Sequence, residues 1–288
     1  MLQLQIARCR PDDAEQVSEL LEDTGALSIT MTDEFDDAIL EPELGTHPLW
    51  PHVVVHALYA DKEDAEYAMQ AIAAQYAHLD CCIETLPEQD WERACMDDFR
   101  PLQFGRRLWI CPSWLTPPDP TAINLILDPG LAFGTGTHQT TSLCLTWLEQ
   151  AHLENLNVID YGCGSGILAL AALKLGASHV YAVDIDQQAL LATQNNATNN
   201  QLTAQQLSIS LPDSLDVTAD LLIANILLSP LLTLKKRFQQ LLNDNGVLVV
   251  SGLLEEQVPL LIADYQDTFT HCSSFVHDGW ALVVFRAS

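Results

Sequence analysis

The run Val158-Ile159-Asp160-Tyr161-Gly162-Cys163-Gly164-Ser165-Gly166-Ile167 decides the fold. A short apolar strand, Val158–Asp160, ends in an acid; three glycines follow at alternate positions; a helix over Ile167–Leu175 begins at once. Glycines in such a turn let the chain reverse sharply and bring backbone N–H groups against a bound ligand. The spacing is G-x-G-x-G with an Asp two residues ahead, not the G-x-G-x-x-G of dinucleotide folds. A tight turn of purely structural purpose would also use glycine. Strand, Asp, glycines and helix in register point instead to a cofactor loop, with Asp160, Gly162, Gly164 and Gly166 as its candidate residues.

Outward from this loop the same rhythm repeats. Val180–Asp184, Leu221–Ala224 and Val247–Ser251 are further short strands, each adjoining a helical segment. That alternation predicts a doubly wound parallel α/β sheet, closed by an antiparallel hairpin of Thr270–Val276 and Trp280–Phe285 around Asp278-Gly279. Asp184 ends its strand 22 residues past Gly162, where a carboxylate accepts both hydroxyls of a ribose; the bland alternative is a surface acid such as Asp186. Asn225 follows its strand at the carboxyl edge, where ligands bind in open α/β sheets. Its amide oxygen and a nearby carbonyl would orient an amine lone pair, although an Asn there can also cap the next helix. Upstream, Asp128–Thr141 is rich in Gly and Thr and precedes a helix over Ser142–Gln150. Thr141 stands where a ligand carboxylate could meet its hydroxyl and N–H, and Phe133 could lie on a sulfonium or an adenine. His138 is lone and is given no role as a base.

The first third of the chain has a different character. Strands over 2–7, 26–32, 53–59 and 79–86 and helices over 11–24 and 61–76 follow the order β-α-β-β-α-β, a small α+β ferredoxin-like sandwich without visible catalytic chemistry. We expect a substrate-recognition domain at 1–87, a linker at 88–105 with a helix over Asp90–Phe99, and a cofactor-binding catalytic domain at 106–288.

Charge narrows the partners. The 288 residues hold 12 Lys and Arg against 39 Asp and Glu, a formal net charge of −27. Residues 1–100 carry 23 acidic and 5 basic side chains, so most of the excess lies in the first domain. Nucleic acid and anionic membrane surfaces both need a cationic face and are disfavoured. A basic macromolecule would be steered in, the alternative being simple solubility. No apolar run approaches the ~20 residues that span a bilayer, and no signal peptide opens the chain. The eight cysteines form no C-x-x-C pair and the nine histidines are scattered, so reduced thiols and no metal site are expected.

Taken together, DPGLAFGTGTHQTTSLCL at 128–145, VIDYGCGSGILALAALKLGA at 158–177, AVDID at 182–186, IANIL at 223–227 with Pro230-Leu231, and SGLLEEQ at 251–257 resemble the PrmA family. These are the S-adenosylmethionine-dependent methyltransferases of ribosomal protein L11. The first run is specific to that family, whereas the glycine loop is shared by all class I methyltransferases. The likeness extends through DWER and PLQFGRRLWICPSW in and after the linker. It implies a class I methyltransferase domain with a seven-stranded sheet, and cofactor contacts at Thr141, Gly162, Asp184 and Asn225. It further implies methylation of lysine ε-amines or the α-amine of a basic ribosomal protein gripped by the first domain; the reduced thiols point to the cytoplasm and the two self-sufficient domains to a monomer. One departure is Cys95, where the family linker usually has a second Trp.

Other readings fit less well. A nucleic-acid adenine or a glutamine methyltransferase follows its Asn with prolines and an aromatic, whereas Asn225 is followed by Ile-Leu-Leu. A dehydrogenase would need the other glycine spacing. A non-enzymatic acidic binder of a ribosomal protein would leave the cofactor loop unexplained.

Overall fold

A computed structural model describes residues 1–35, 48–87, 99–128 and 138–287. The expected linker helix at 90–99, all but its last residue, together with Cys95 and Phe133, lies outside the described residues. The chain divides into two compact units, Met1–Ala94 and Cys95–Ser288.

In the first unit the elements run β1 (Leu2–Cys9), α1 (Pro11–Asp23), β2 (Ser28–Asp33), β3 (Val53–Tyr59), α2 (Lys62–Gln75) and β4 (Asp80–Thr85). This is the order read from the sequence. The strands form one antiparallel sheet in the order β2-β3-β1-β4. Alternation along β1 and β3 sends Leu4, Ile6, Val53, Val55, Ala57 and Tyr59 to one face. There they meet Ala14, Val17 and Leu21 of α1 and Ala65, Ala68 and Ile72 of α2, each set at helical spacing. The acidic residues of α1 and α2 are left almost entirely on the outer surfaces of these helices.

The second unit opens with a three-stranded sheet that sequence reading found only in part. β5 (Leu102–Phe104) pairs antiparallel with β6 (Leu108–Cys111), which pairs parallel with β7 (Ile123–Ile126). Strands of three and four residues give too little periodicity to stand out. The main sheet follows: α3 (Gln139–Gln150), β8 (Asn157–Tyr161), α4 (Ile167–Lys174), β9 (His179–Val183), α5 (Gln187–Asn199), β10 (Leu207–Ser210), β11 (Ala219–Asn225), α6 (Leu228–Leu241), β12 (Leu242–Leu254), α7 (Val258–Tyr265), β13 (Phe269–His277) and β14 (Trp280–Ala287). Its order is β10-β9-β8-β11-β12-β14-β13, parallel except where β14 enters antiparallel between β12 and β13.

Both faces of this sheet are covered, and alternation on β11 shows how. Leu221 and Ile223 face α3 and α4, whereas Leu222 and Ala224 face α6 and α7. Helix α4 is apolar all round up to Lys174, and Ile167 through Leu173 are all buried. On the opposite face Tyr265, Phe269 and Phe285 cluster, and the Tyr265 hydroxyl donates to the Leu231 carbonyl at 2.7 Å.

One backbone contact sets the upper edge of the sheet. Gly252 has φ +88°, and a Cβ there would run into the backbone carbonyl of Ile226. The neighbouring Ser251 accepts the Ile226 N–H at 3.1 Å through its carbonyl, while its hydroxyl donates to Ala281 at 2.8 Å. β12 therefore passes tight under the segment that follows β11. Replacing Gly252 with Ala adds a left-handed backbone penalty to a clash with main chain, which cannot swing aside. Chemical denaturation of Gly252→Ala is expected to show a loss of about 2–4 kcal/mol.

Candidate active site

The site lies at the carboxyl ends of β8 and β11, neighbours whose helices lie on opposite faces, the position at which open α/β sheets bind ligands. Asp160 pairs in register with Ile223, so Gly162 and Asn225 each lie two residues further along adjacent strands.

The glycine loop is fastened from three sides. Gly162 and Cys163 both donate to the Val183 carbonyl, at 2.8 and 3.0 Å. Gly162, Gly164 and Gly166 all take left-handed conformations. A Cβ on Gly162 would meet Ile226 Cγ2 at 2.5 Å, so this glycine admits the segment after Asn225. From the other side α5 reaches in: Thr193 Oγ1 donates to the Gly164 carbonyl at 3.0 Å, and Asn196 Nδ2 to the Ser165 carbonyl at 2.9 Å.

Asp184 is oriented by two backbone donors. Its Oδ2 accepts the Gly164 N–H at 2.9 Å and its Oδ1 the Asp186 N–H at 3.0 Å. Each oxygen keeps a further lone pair for a hydroxyl. Asp186 caps α5 by accepting the Gln188 N–H at 2.9 Å. Between these acids Ile185 is 86% exposed, an apolar surface beside the Asp184 carboxylate.

Asn225 and Thr141 meet. Thr141 lies in the first turn of α3 and is buried; its hydroxyl oxygen accepts from Asn225 Nδ2 at 3.3 Å. Asn225 Oδ1 is buried with no hydrogen-bond partner among the described residues. His138 caps α3, its Nδ1 accepting the Thr140 N–H at 3.3 Å, and its ring stands edge-on to Trp280 at 4.8 Å. His138 is a structural anchor in this arrangement. Among the described residues no group of His, Cys, Asp and Glu is placed to hold a metal ion. Burial pushes the Cys144 and Cys163 thiols far up, which keeps both protonated.

The sequence and the fold of the second unit have matches among known proteins. The sequence model of the family described as ribosomal protein L11 methyltransferase (PrmA) matches residues 1–288. This chain belongs to that family. A ribosomal protein L11 methyltransferase of Legionella pneumophila, strain Philadelphia 1, is 61% identical over 285 residues, 99% of either chain. One from Nitrosococcus oceani is 47% identical over 273 residues, 93% of either chain. The crystal structure of a ribosomal protein L11 methylase from Lactobacillus delbrueckii subsp. bulgaricus covers 66% of this chain and all of its own, at 33% identity and a TM-score of 0.61. The main sheet thus has the class I methyltransferase fold.

The cofactor of a PrmA protein is S-adenosylmethionine, and the residues present suit it. The glycine loop has no side chain at its left-handed positions, Asp184 keeps lone pairs beside it, and Asn225 Oδ1 lacks a partner among the described residues. These are the residues that sequence reading offers as candidates; it passes over those behind them. Thr193, Asn196 and Asn200 form a polar stripe at spacings of three and four on α5, easily taken for a solvated face. The signal was their number: eight of the nine residues from Thr193 to Gln201 are Asn, Gln or Thr. Asn200 accepts the Ile126 N–H at 2.9 Å and donates to its carbonyl at 2.6 Å, so it steadies the strand leading to Asp128.

Asp160 takes a different place from the other acids. It is fully buried, its Oδ2 accepts the Ala169 N–H at 2.9 Å, and its Oδ1 has no partner among the described residues. Burial raises its carboxyl to about 7, and the nearby Asp184 adds to the rise. A carboxyl raised on folding holds its proton in the native state after the unfolded chain has released it. Native stability from this group is therefore complete below about pH 4 and lost as pH climbs through about 7. Thermal melts of wild type and Asp160→Asn across pH 4–8 should diverge in that window, with the wild type losing ground to the variant as pH rises. Parallel curves would mean that the carboxyl ionises at its ordinary value.

Proposed function

We propose that the site transfers methyl groups from S-adenosylmethionine to lysine ε-amines or the α-amine of ribosomal protein L11, with Asn225 as the residue that orients the amine. The unpartnered Oδ1 of Asn225, buried beside Thr141 at the end of β11, carries this reading. S-adenosylmethionine supplies a methyl group on a sulfonium, a leaving group already activated. The protein is left to position the nucleophile and keep it neutral.

An ε-amine has a reference pKa near 10.4, so at neutral pH it arrives protonated. Burial beside a cation favours its neutral form. The Thr141 hydroxyl holds Asn225 Nδ2 and thereby leaves Oδ1 free to accept an amine N–H, which turns the nitrogen lone pair toward the methyl group. No dedicated base is needed, and His138 is occupied as a helix cap. In this reading Asp184 takes the ribose hydroxyls, and Gly162, Gly164 and Gly166 admit the cofactor to the backbone. Thr141 serves the methionine end. Asp160 supports the loop from beneath and Phe133 covers the cofactor.

The acidic unit supplies the grip on the substrate. We assign recognition to a ferredoxin-like domain at 1–87 and catalysis to 106–288, joined through 88–105, in a cytoplasmic monomer acting on the free ribosomal protein rather than on nucleic acid. No helix among the described residues is long and apolar enough to cross a membrane. Ribosomal proteins are typically basic, and a domain with the charge of residues 1–100 steers one in over a Debye length of about 8–10 Å.

Two measurements test this. Intact mass of ribosomal protein L11 after incubation with the enzyme and S-adenosylmethionine should rise in whole methyl steps. Asn225→Ala should lower kcat about a hundredfold while barely moving the melting temperature, because it removes an acceptor that folding leaves unpaired. A gain in mass at the wild-type rate would remove Asn225 from the mechanism, and no gain with wild type would discard the substrate. Stopped-flow association of the two proteins should slow about threefold or more between low and physiological salt. A rate indifferent to salt would reduce the acidity to a matter of solubility.

A further inference from the structure

The residue behind the glycine loop is Thr193, and the loop is wrapped around it. Thr193 is completely buried on α5. A Cβ on Gly166 would lie 2.8 Å from both Thr193 Cγ2 and Oγ1, so the left-handed turn at Gly166 closes directly onto this side chain. The hydroxyl donates to the Gly164 carbonyl at 3.0 Å and stands 3.5 Å from Cys163 Sγ. Gly164 is also the residue whose N–H orients Asp184 Oδ2 at 2.9 Å. A glycine in a left-handed conformation has no side chain to hold it, and both of its neighbouring peptides turn easily. Its orientation must come from outside, and Thr193 supplies the hydrogen bond on the carbonyl side.

We infer that Thr193 is a positioning residue for cofactor binding: its hydroxyl holds Gly164, and Gly164 in turn aims the Asp184 carboxylate at the ribose. Thr193 itself touches no cofactor. The inference rests on the reading that Asp184 takes the ribose hydroxyls of S-adenosylmethionine. The methyl group and the hydroxyl have separable parts. The methyl fills space against Gly166; the hydroxyl alone can act on Asp184.

The test is titration calorimetry with S-adenosylmethionine on the full-length wild type, Thr193→Val and Thr193→Ser, each also in an Asp184→Asn background. Thr193→Val keeps the shape and removes the donor; its Kd should rise about tenfold, the scale of one hydrogen bond. Thr193→Ser keeps the donor and should bind within about twofold of wild type, even where loss of the methyl lowers its melting temperature. In the Asp184→Asn background Thr193→Val should add little, because residues acting through one another are not additive. Turnover should show the same split, with KM for the cofactor raised in Thr193→Val and kcat at saturation falling much less. If Thr193→Val does not fold, Thr193→Ala replaces it, and recovery of affinity in the Ser variant decides. The inference is overturned if the Val variant binds as wild type does, if Ser is as weak as Val, or if the losses add in full to those of Asp184→Asn. Tight binding by wild type with any of these results leaves the cofactor reading intact. A wild type that fails to bind overturns both.

Discussion

Everything at the site depends on the register between two neighbouring parallel strands. Because Asp160 lies opposite Ile223, β8 and β11 end level with each other and their following residues emerge side by side. β8 sends its chain into the glycine loop and α4 on one face; β11 sends its chain into α6 on the other. The crevice between the diverging chains is the site. A slip of one residue would turn Asp160 outward and exchange the two faces of β8, so the hydrophobic cores fix the site geometry as firmly as any local contact.

The crevice is held open by close backbone packing rather than by large side chains. Ile226 is pressed between Gly162 and Gly252, so it determines how near the post-β11 segment comes to the cofactor loop. Ser251 ties the same segment to β12 and, through Ala281, to the terminal hairpin. Trp280, which pairs with Leu254 across those strands, meets His138 at the cap of α3. The terminal hairpin thereby braces both Thr141 and Asn225 from behind, although it contributes neither. Such short-range contacts transmit displacement because interiors are close-packed and give little.

Much of this was legible in the sequence, for a physical reason. The strands of the main sheet are short apolar runs ending in polar residues, and the loops after them carry glycine where backbone must approach a ligand. Both features leave marks within a few residues of one another. The βαββαβ order of the first unit was legible because its strands alternate and its helices have apolar stripes. β5, β7 and β10 were missed because three or four residues barely define a period. Thr193, Asn196 and Asn200 were missed for the opposite reason. Their positions on and just after α5 are clear, but only the fold reveals that this polar face looks inward, onto carbonyls of the glycine loop and of Ile126.

Two buried carbonyl-type oxygens, Asp160 Oδ1 and Asn225 Oδ1, stand out against that thorough pairing. The surrounding structure spends side chains on satisfying Gly164, Ser165 and Ile126, so the same means were available for these two. An unpaired buried acceptor costs about 1–3 kcal/mol. The Thr141 hydroxyl, which can donate or accept, holds one end of the Asn225 amide; with Nδ2 on that side, Oδ1 is the end without a partner among the described residues. In the proposed function this acceptor, at the end of the strand facing the cofactor loop, serves a donor that arrives from outside the chain. An amine with its N–H directed there has its lone pair turned away from that oxygen, at about the tetrahedral angle from the N–H bond. That is the geometry a methyl transfer requires.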